Sequence, residues 1–129
     1  MSANNISPTV LALMGDAVFS LFVRQRVISR CDGKSGLITV RCNALVNAKS
    51  QARMLAGIED MLTPEESDIA RRCRNAHTNN KAKSATLSEY KASTALEGVL
   101  GWLYLCGEHD RCNEIMHRAV SVVEEQHRG

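Results

Sequence analysis

The chain has 129 residues, 44% of them apolar, with 16 Lys or Arg against 14 Asp or Glu. That length suits one domain with its own core, here residues 1–129, and the apolar share is too high for a disordered chain. A net charge of +2 is too mild to mark a nucleic-acid binder by itself, so the placement of the basic residues has to decide.

The first element begins at Ser7-Pro8, an N-cap hydroxyl followed by a proline where its missing N–H costs nothing. From Pro8 to about Arg30, Val10, Met14, Ala17, Leu21 and Ile28 recur at helical steps, widened by Leu11, Val18 and Phe22. This predicts a long, mostly buried helix. Cys31 to Gly36 reads as a loop. Helical spacing resumes from Leu37 to about Leu62 through Leu45, Ala48, Ala52, Leu55 and Ile58, as one helix or as two with a kink. Thr63-Pro64-Glu65-Glu66 combines a capping box with N-terminal acids and starts a helix running to about Arg74. Asn75 to Ser88 is the least apolar stretch and predicts a long, mobile, basic loop. Ser88 is the expected cap of a helix from Glu89 to about Cys106 with Ala92, Ala95, Leu96, Val99 and Leu103 inside, ended by Gly107. Asp110 is the expected cap of a last helix through Ile115, Met116, Ala119, Val120 and Val123. No strand pattern survives, and the predicted fold class is all-α.

The five cysteines are odd in number, include no Cys-x-x-Cys pair, and read as reduced, buried or half-buried hydrophobes. The four histidines form no zinc pattern. With no secretory signal and no membrane-length apolar run, the expected location is the cytoplasm, away from any membrane.

Two acids stand out because they interrupt the most apolar helices. Asp16 is the lone acid between Ser7 and Cys31, and Glu97 sits in Ala95-Leu-Glu-Gly-Val-Leu. A carboxylate on such a face must be paired, hydrogen-bonded or metal-bound, since burying it bare is costly. Two carboxylates on packed helices suit Mg²⁺, which keeps several waters and takes substrate phosphate as further ligands. Spacing alone serves equally a pair of structural acids, each meeting a buried arginine or capping a neighbouring helix.

The words around those acids separate the two readings. Ala12-Leu-Met-Gly-Asp-Ala-Val-Phe resembles the "LGDAV" helix of the ribonuclease III family. Ser93-Thr-Ala-Leu-Glu-Gly-Val-Leu-Gly-Trp-Leu-Tyr-Leu resembles that family's second acidic helix, usually "xxxEALLGYLYL". Ala48-Lys-Ser-Gln-Ala, Leu62-Thr-Pro-Glu-Glu with Arg71-Arg-Cys-Arg-Asn-Ala, and Tyr90-Lys-Ala-Ser-Thr-Ala are similar to segments of its Mini-III branch. The resemblance implies a helical endonuclease domain without a separate double-stranded-RNA-binding domain. It implies a bacterial homodimer that cleaves double-stranded RNA with Mg²⁺, or Mn²⁺ in its place, and leaves 5′-phosphates. It further implies maturation of 23S ribosomal RNA precursor ends, with Asp16 and Glu97 as the catalytic metal ligands.

This chain also departs from the family's patterns. Ala12 and Thr94 stand where full-length members carry further acids, Cys73 replaces the middle glycine of "RGRNA", and Thr39 stands where many Mini-III sequences have histidine. The basic residues do cluster, as Arg71, Arg72, Arg74, Lys81, Lys83 and Lys91 with Asn75 among them, while Lys49 and Arg53 lie a turn apart on the preceding helix. Lys49, Arg71, Arg72, Arg74, Asn75, Lys81, Lys83 and Lys91 are the expected RNA contacts, reading phosphates and 2′-hydroxyls rather than bases. The competing expectation is a catalytically inactive, ribosome-associated RNA-binding protein of the same fold.

Overall fold

A computed structural model describes residues 5–76 and 86–128, apart from the side chains of 126–128. Six α-helices follow one another: α1 (Pro8–Arg30), α2 (Ser35–Val46), α3 (Ala48–Ile58), α4 (Pro64–Arg74), α5 (Leu87–Leu105) and α6 (His109–Arg128). A 3-10 turn, Glu59–Met61, follows α3. No strand occurs among the described residues, and none of their helices is long and apolar enough to cross a membrane.

The caps are set locally. Ser7 accepts from the Val10 N–H, and the Thr63–Glu66 capping box closes in both directions at 2.8 and 3.2 Å. Asn47 divides the 37–62 stretch into two helices. Its Oδ1 accepts from the Ser50 N–H at 2.9 Å, while its Nδ2 donates to the Asn43 and Ala44 carbonyls that end α2. Two expected caps are corrected. Thr86, not Ser88, starts α5, because Thr86 and Glu89 form a second reciprocal capping box. Asp110 lies inside the first turn of α6, which begins at His109. Gly107, at φ 79°, takes the left-handed turn that ends α5.

The core is built around α5. Its residues from Ala92 to Leu103 are buried on nearly every side, packed by α1, α3, α4 and α6. The most extensive pairing is α1 with α5. Glycines bring these two helices to backbone contact. A Cβ built on Gly15 would fall on the Glu97 carbonyl oxygen, and one on Gly101 would fall on the Leu11 carbonyl oxygen. That approach carries Asp16 up to Glu97.

The expected core face of α1 is corrected. Leu11, Ala12, Gly15, Val18, Phe19, Val23 and Val27 are buried, whereas Val10, Ala17, Leu21 and Ile28 are exposed. Both sides of the helix are apolar, so periodicity picked the outer one. On the far side of the core, Glu66 and Arg111 join α4 to α6. Two hydrogen bonds of 2.9 Å link the side chains, and Arg111 also donates to the Met61 carbonyl. Burial works against the Glu66 charge, but bonds from Arg111 and the Thr63 N–H outweigh it and hold the carboxyl below its ordinary range. Of the cysteines, all free, Cys106 departs from expectation by being exposed.

Candidate active site

One broad cleft of about 720 Å³ lies where α1, α3, α4 and α5 meet. Asp16 reaches it from α1 and Glu97 from α5, and their carboxyl groups come within hydrogen-bonding reach of each other. Burial pushes the Glu97 carboxyl up to about 8, helped by the neighbouring Asp16 charge and its hydrogen bond, while a bond from Gln51 pulls the other way. Near neutral pH Glu97 therefore keeps its proton. A divalent cation is the other species that can relieve this crowding, since it favours both carboxylates at once.

The donor set fits Mg²⁺. It offers hard oxygens from two helices at the wall of an open cleft, leaving room for waters and a phosphate. No group of three or more His, Cys, Asp or Glu able to hold a metal occurs among the described residues. The family's other two acidic positions add no ligand. Ala12 is buried in the cleft wall, and the Thr94 hydroxyl donates to the Tyr90 carbonyl of its own helix at 3.0 Å.

Gln51 was not foreseen as a site residue. It is only 2% exposed, lines the cleft from α3, and donates its amide to Glu97. A signal existed in its spacing, since Gln51 precedes Met54, Leu55 and Ile58 on the inward side of α3. A glutamine on a core face needs a partner.

The expected RNA contacts are only partly brought together. Lys49, Arg74 and Lys91 line the cleft. Asn75 ends α4 as its exposed C-cap, between Arg74 and Ala76, which both line the cleft. Arg71 and Arg72 lie outside it. Arg71 pairs with Asp68 at 2.7 Å, and Arg72 borders a separate hollow with Pro64, Glu65 and Trp102. Lys81 and Lys83 lie outside the described residues, as does most of the expected loop.

Cys73 settles the altered turn of α4. It is 1% exposed, its thiol contacts the Pro8 carbonyl at 3.8 Å, and it fills the space where Gly98 lacks a side chain. A Cβ on Gly98 would collide with the Cys73 Sγ. Residue 73 has gained a side chain relative to "RGRNA", and residue 98 has lost one relative to "EALLGYLYL". Burial pushes the thiol up to about 11, so it stays protonated.

The Ribonuclease III domain family matches residues 9–108. A helical domain with paired acids on α1 and α5 is thus a ribonuclease III domain. A Mini-ribonuclease 3 of Thermoanaerobacter sp. is 38% identical over 121 residues, covering 94% of this chain and 85% of the relative. The Staphylococcus aureus Mini-ribonuclease 3 is 34% identical, covering 94% and 92%. A crystal structure of a Fusobacterium nucleatum protein superposes with a TM-score of 0.81 at 29% identity, covering 91% and 93%. The chain belongs to the ribonuclease III family, in its Mini-ribonuclease 3 branch.

Proposed function

We propose that the chain is a Mg²⁺-dependent endoribonuclease that cuts double-stranded RNA and matures the ends of 23S ribosomal RNA precursor in the bacterial cytoplasm. The observation that carries this reading is the meeting of Asp16 and Glu97 in a cleft bordered by Lys49, Arg74 and Lys91. Asp16 and Glu97 would hold the ion through carboxylate oxygens, with Mn²⁺ able to replace it. Bound there, the ion supplies Lewis acidity toward a phosphate oxygen and lowers the pKa of the attacking water.

The chain's own side chains supply the rest. Gln51, buried beside Glu97, would donate to its carboxylate and help to orient it. Lys49, Lys91 and Arg74 hold the RNA backbone by charge, with Asn75 beside them and Lys81, Lys83, Arg71 and Arg72 extending the basic stretch. In-line displacement at the held phosphate leaves a 5′-phosphate and a 3′-hydroxyl.

A homodimer accounts for the outer side of α1. Leu13, Leu21 and Ile28 are 71%, 68% and 60% exposed in one apolar row, and Val40 of α2 is 65% exposed. A large apolar surface of this kind marks an interface. A symmetric pair would cover the same row on both copies and set two sites to cut two strands.

The test is a gel assay on a plain RNA duplex. Fragments with 5′-phosphates are expected with Mg²⁺ and none with EDTA. A duplex bound but left whole in Mg²⁺ would establish instead the inactive RNA-binding protein.

A further inference from the structure

A second hollow, of about 670 Å³, lies between the C-terminal end of α1, α2 and Glu124 of α6. The end of α2 borders both this hollow and the catalytic cleft, with Val46 lining the cleft while Ala44 and Leu45 line the hollow. Three arginines line the hollow, Arg26 and Arg30 from α1 and Arg41 from α2, and none belongs to the basic stretch already described.

Their charges are not equally matched. The Arg26 side chain is 10% exposed and grips the Glu124 carboxylate with two nitrogens, at 2.7 and 3.3 Å. Among the described residues Glu124 is the one acid in the wall, and Arg26 binds both its oxygens. Arg30 and Arg41 form no hydrogen bond or ion pair with any described residue. The remaining walls, Val27, Cys31, Ala44 and Leu45, offer no charged side chain. Two guanidinium groups from different helices thus face one recess with their fork donors unused, a geometry suited to phosphate oxygens.

We propose that this recess is a phosphate-binding site, and that the phosphate it takes belongs to the backbone of the duplex RNA held in the catalytic cleft. The inference rests on the ribonuclease reading for its ligand. Along α1 the hollow's Arg26 and Arg30 lie 10 and 14 residues beyond the cleft's Asp16, about 15 and 21 Å at 1.5 Å per residue, so a single duplex can lie over both. Arg30 and Arg41 would then anchor the RNA without touching the reacting phosphate.

The experiment measures duplex RNA affinity in EDTA from 50 to 200 mM salt. It compares the wild type, Arg30→Ala/Arg41→Ala, Arg30→Lys/Arg41→Lys, and Arg118→Ala as an exposed cation outside the recess. Loss of two phosphate contacts should lower the magnitude of the log Kd against log salt slope by about 2, at roughly 0.9 per contact. Affinity near 0.15 M salt should fall tenfold or more in the alanine pair. The lysine pair should keep the slope, and Arg118→Ala should match the wild type.

An alanine pair with wild-type slope and affinity would overturn the proposal while the wild type still binds. So would binding of inorganic phosphate to Arg30 and Arg41 with RNA affinity unchanged. A wild type with no affinity for duplex RNA at any salt would instead defeat the ribonuclease reading itself.

Discussion

The two sides of α1 are both apolar, yet they do different work. The inner side, Leu11, Ala12, Gly15 and Phe19, meets α5 so closely that backbones touch at Gly15 and Gly101. The outer side, Leu13, Leu21 and Ile28, is mostly exposed in the protomer, with Leu13 at the edge of the cleft. The inner contact tolerates no added atom and sets the distance between Asp16 and Glu97. The outer face is proposed to meet a second copy, where side chains rather than backbones would touch. Apolar spacing marks both faces; small residues mark the one that cannot be loosened.

The strongest way to break that contrast is Gly15→Ala. Its new methyl group meets the backbone of Glu97, which cannot rotate away. The expected loss is at or beyond the top of the ~1–3 kcal/mol typical of overpacking, read by urea denaturation, with loss of cleavage. A stable, active Gly15→Ala protein would refute the close crossing.

Next in size is the contact between Cys73 and Gly98, where a side chain rather than backbone fills the gap. Gly98→Ala should cost about 1–3 kcal/mol through collision with Cys73. Cys73→Gly, with a void left in its place, should lie in the same range. The double variant should recover most of the loss, because methyl and thiol compete for one space. Strictly additive losses in the denaturation cycle would show that the two positions are independent.

A pH-dependent effect follows from Glu97. Its raised value means that the folded chain keeps a proton that the unfolded chain releases from about 4.5 upward. The native state then binds more protons, so this group's contribution to stability falls as pH climbs from about 4.5 to about 8. In EDTA the melting temperature should drop across that window, less so in Glu97→Gln. Added Mg²⁺ should flatten the wild-type profile. Identical pH profiles for both proteins in EDTA would contradict the crowded pair.

On the outer side, Leu21→Glu with Ile28→Glu should disturb the protomer least, within about 0.5 kcal/mol. Both side chains already face water there. Sedimentation should nevertheless show monomers, and cleavage should fall. A variant that remains dimeric would move the interface elsewhere.

What could be read from the sequence was local. Ser7-Pro8 and the Thr63 box are complete within four residues, and both hold in the structure. The Thr86–Glu89 box was equally readable, but the nearby Ser88 offered a competing hydroxyl. The break at Asn47 carries no Gly or Pro, so only its side chain's bonds to both helices reveal it. Asp16 and Glu97 were visible as charges in apolar helices. Gln51 carries no charge, and its role emerges only when α3 packs against α5. The pairing of Cys73 with Gly98 depends on contacts between α4 and α5 that no spacing rule contains.

The central claim is that Asp16 and Glu97 together hold the catalytic ion. Its most direct test is the single-turnover rate of duplex cleavage in saturating Mg²⁺ for the wild type, Asp16→Asn and Glu97→Gln, with duplex affinity measured alongside. Both variants should lose cleavage by at least a thousandfold, roughly 4 kcal/mol of barrier, while remaining folded, dimeric and able to bind the duplex. Near-wild-type cleavage by either variant would contradict the account.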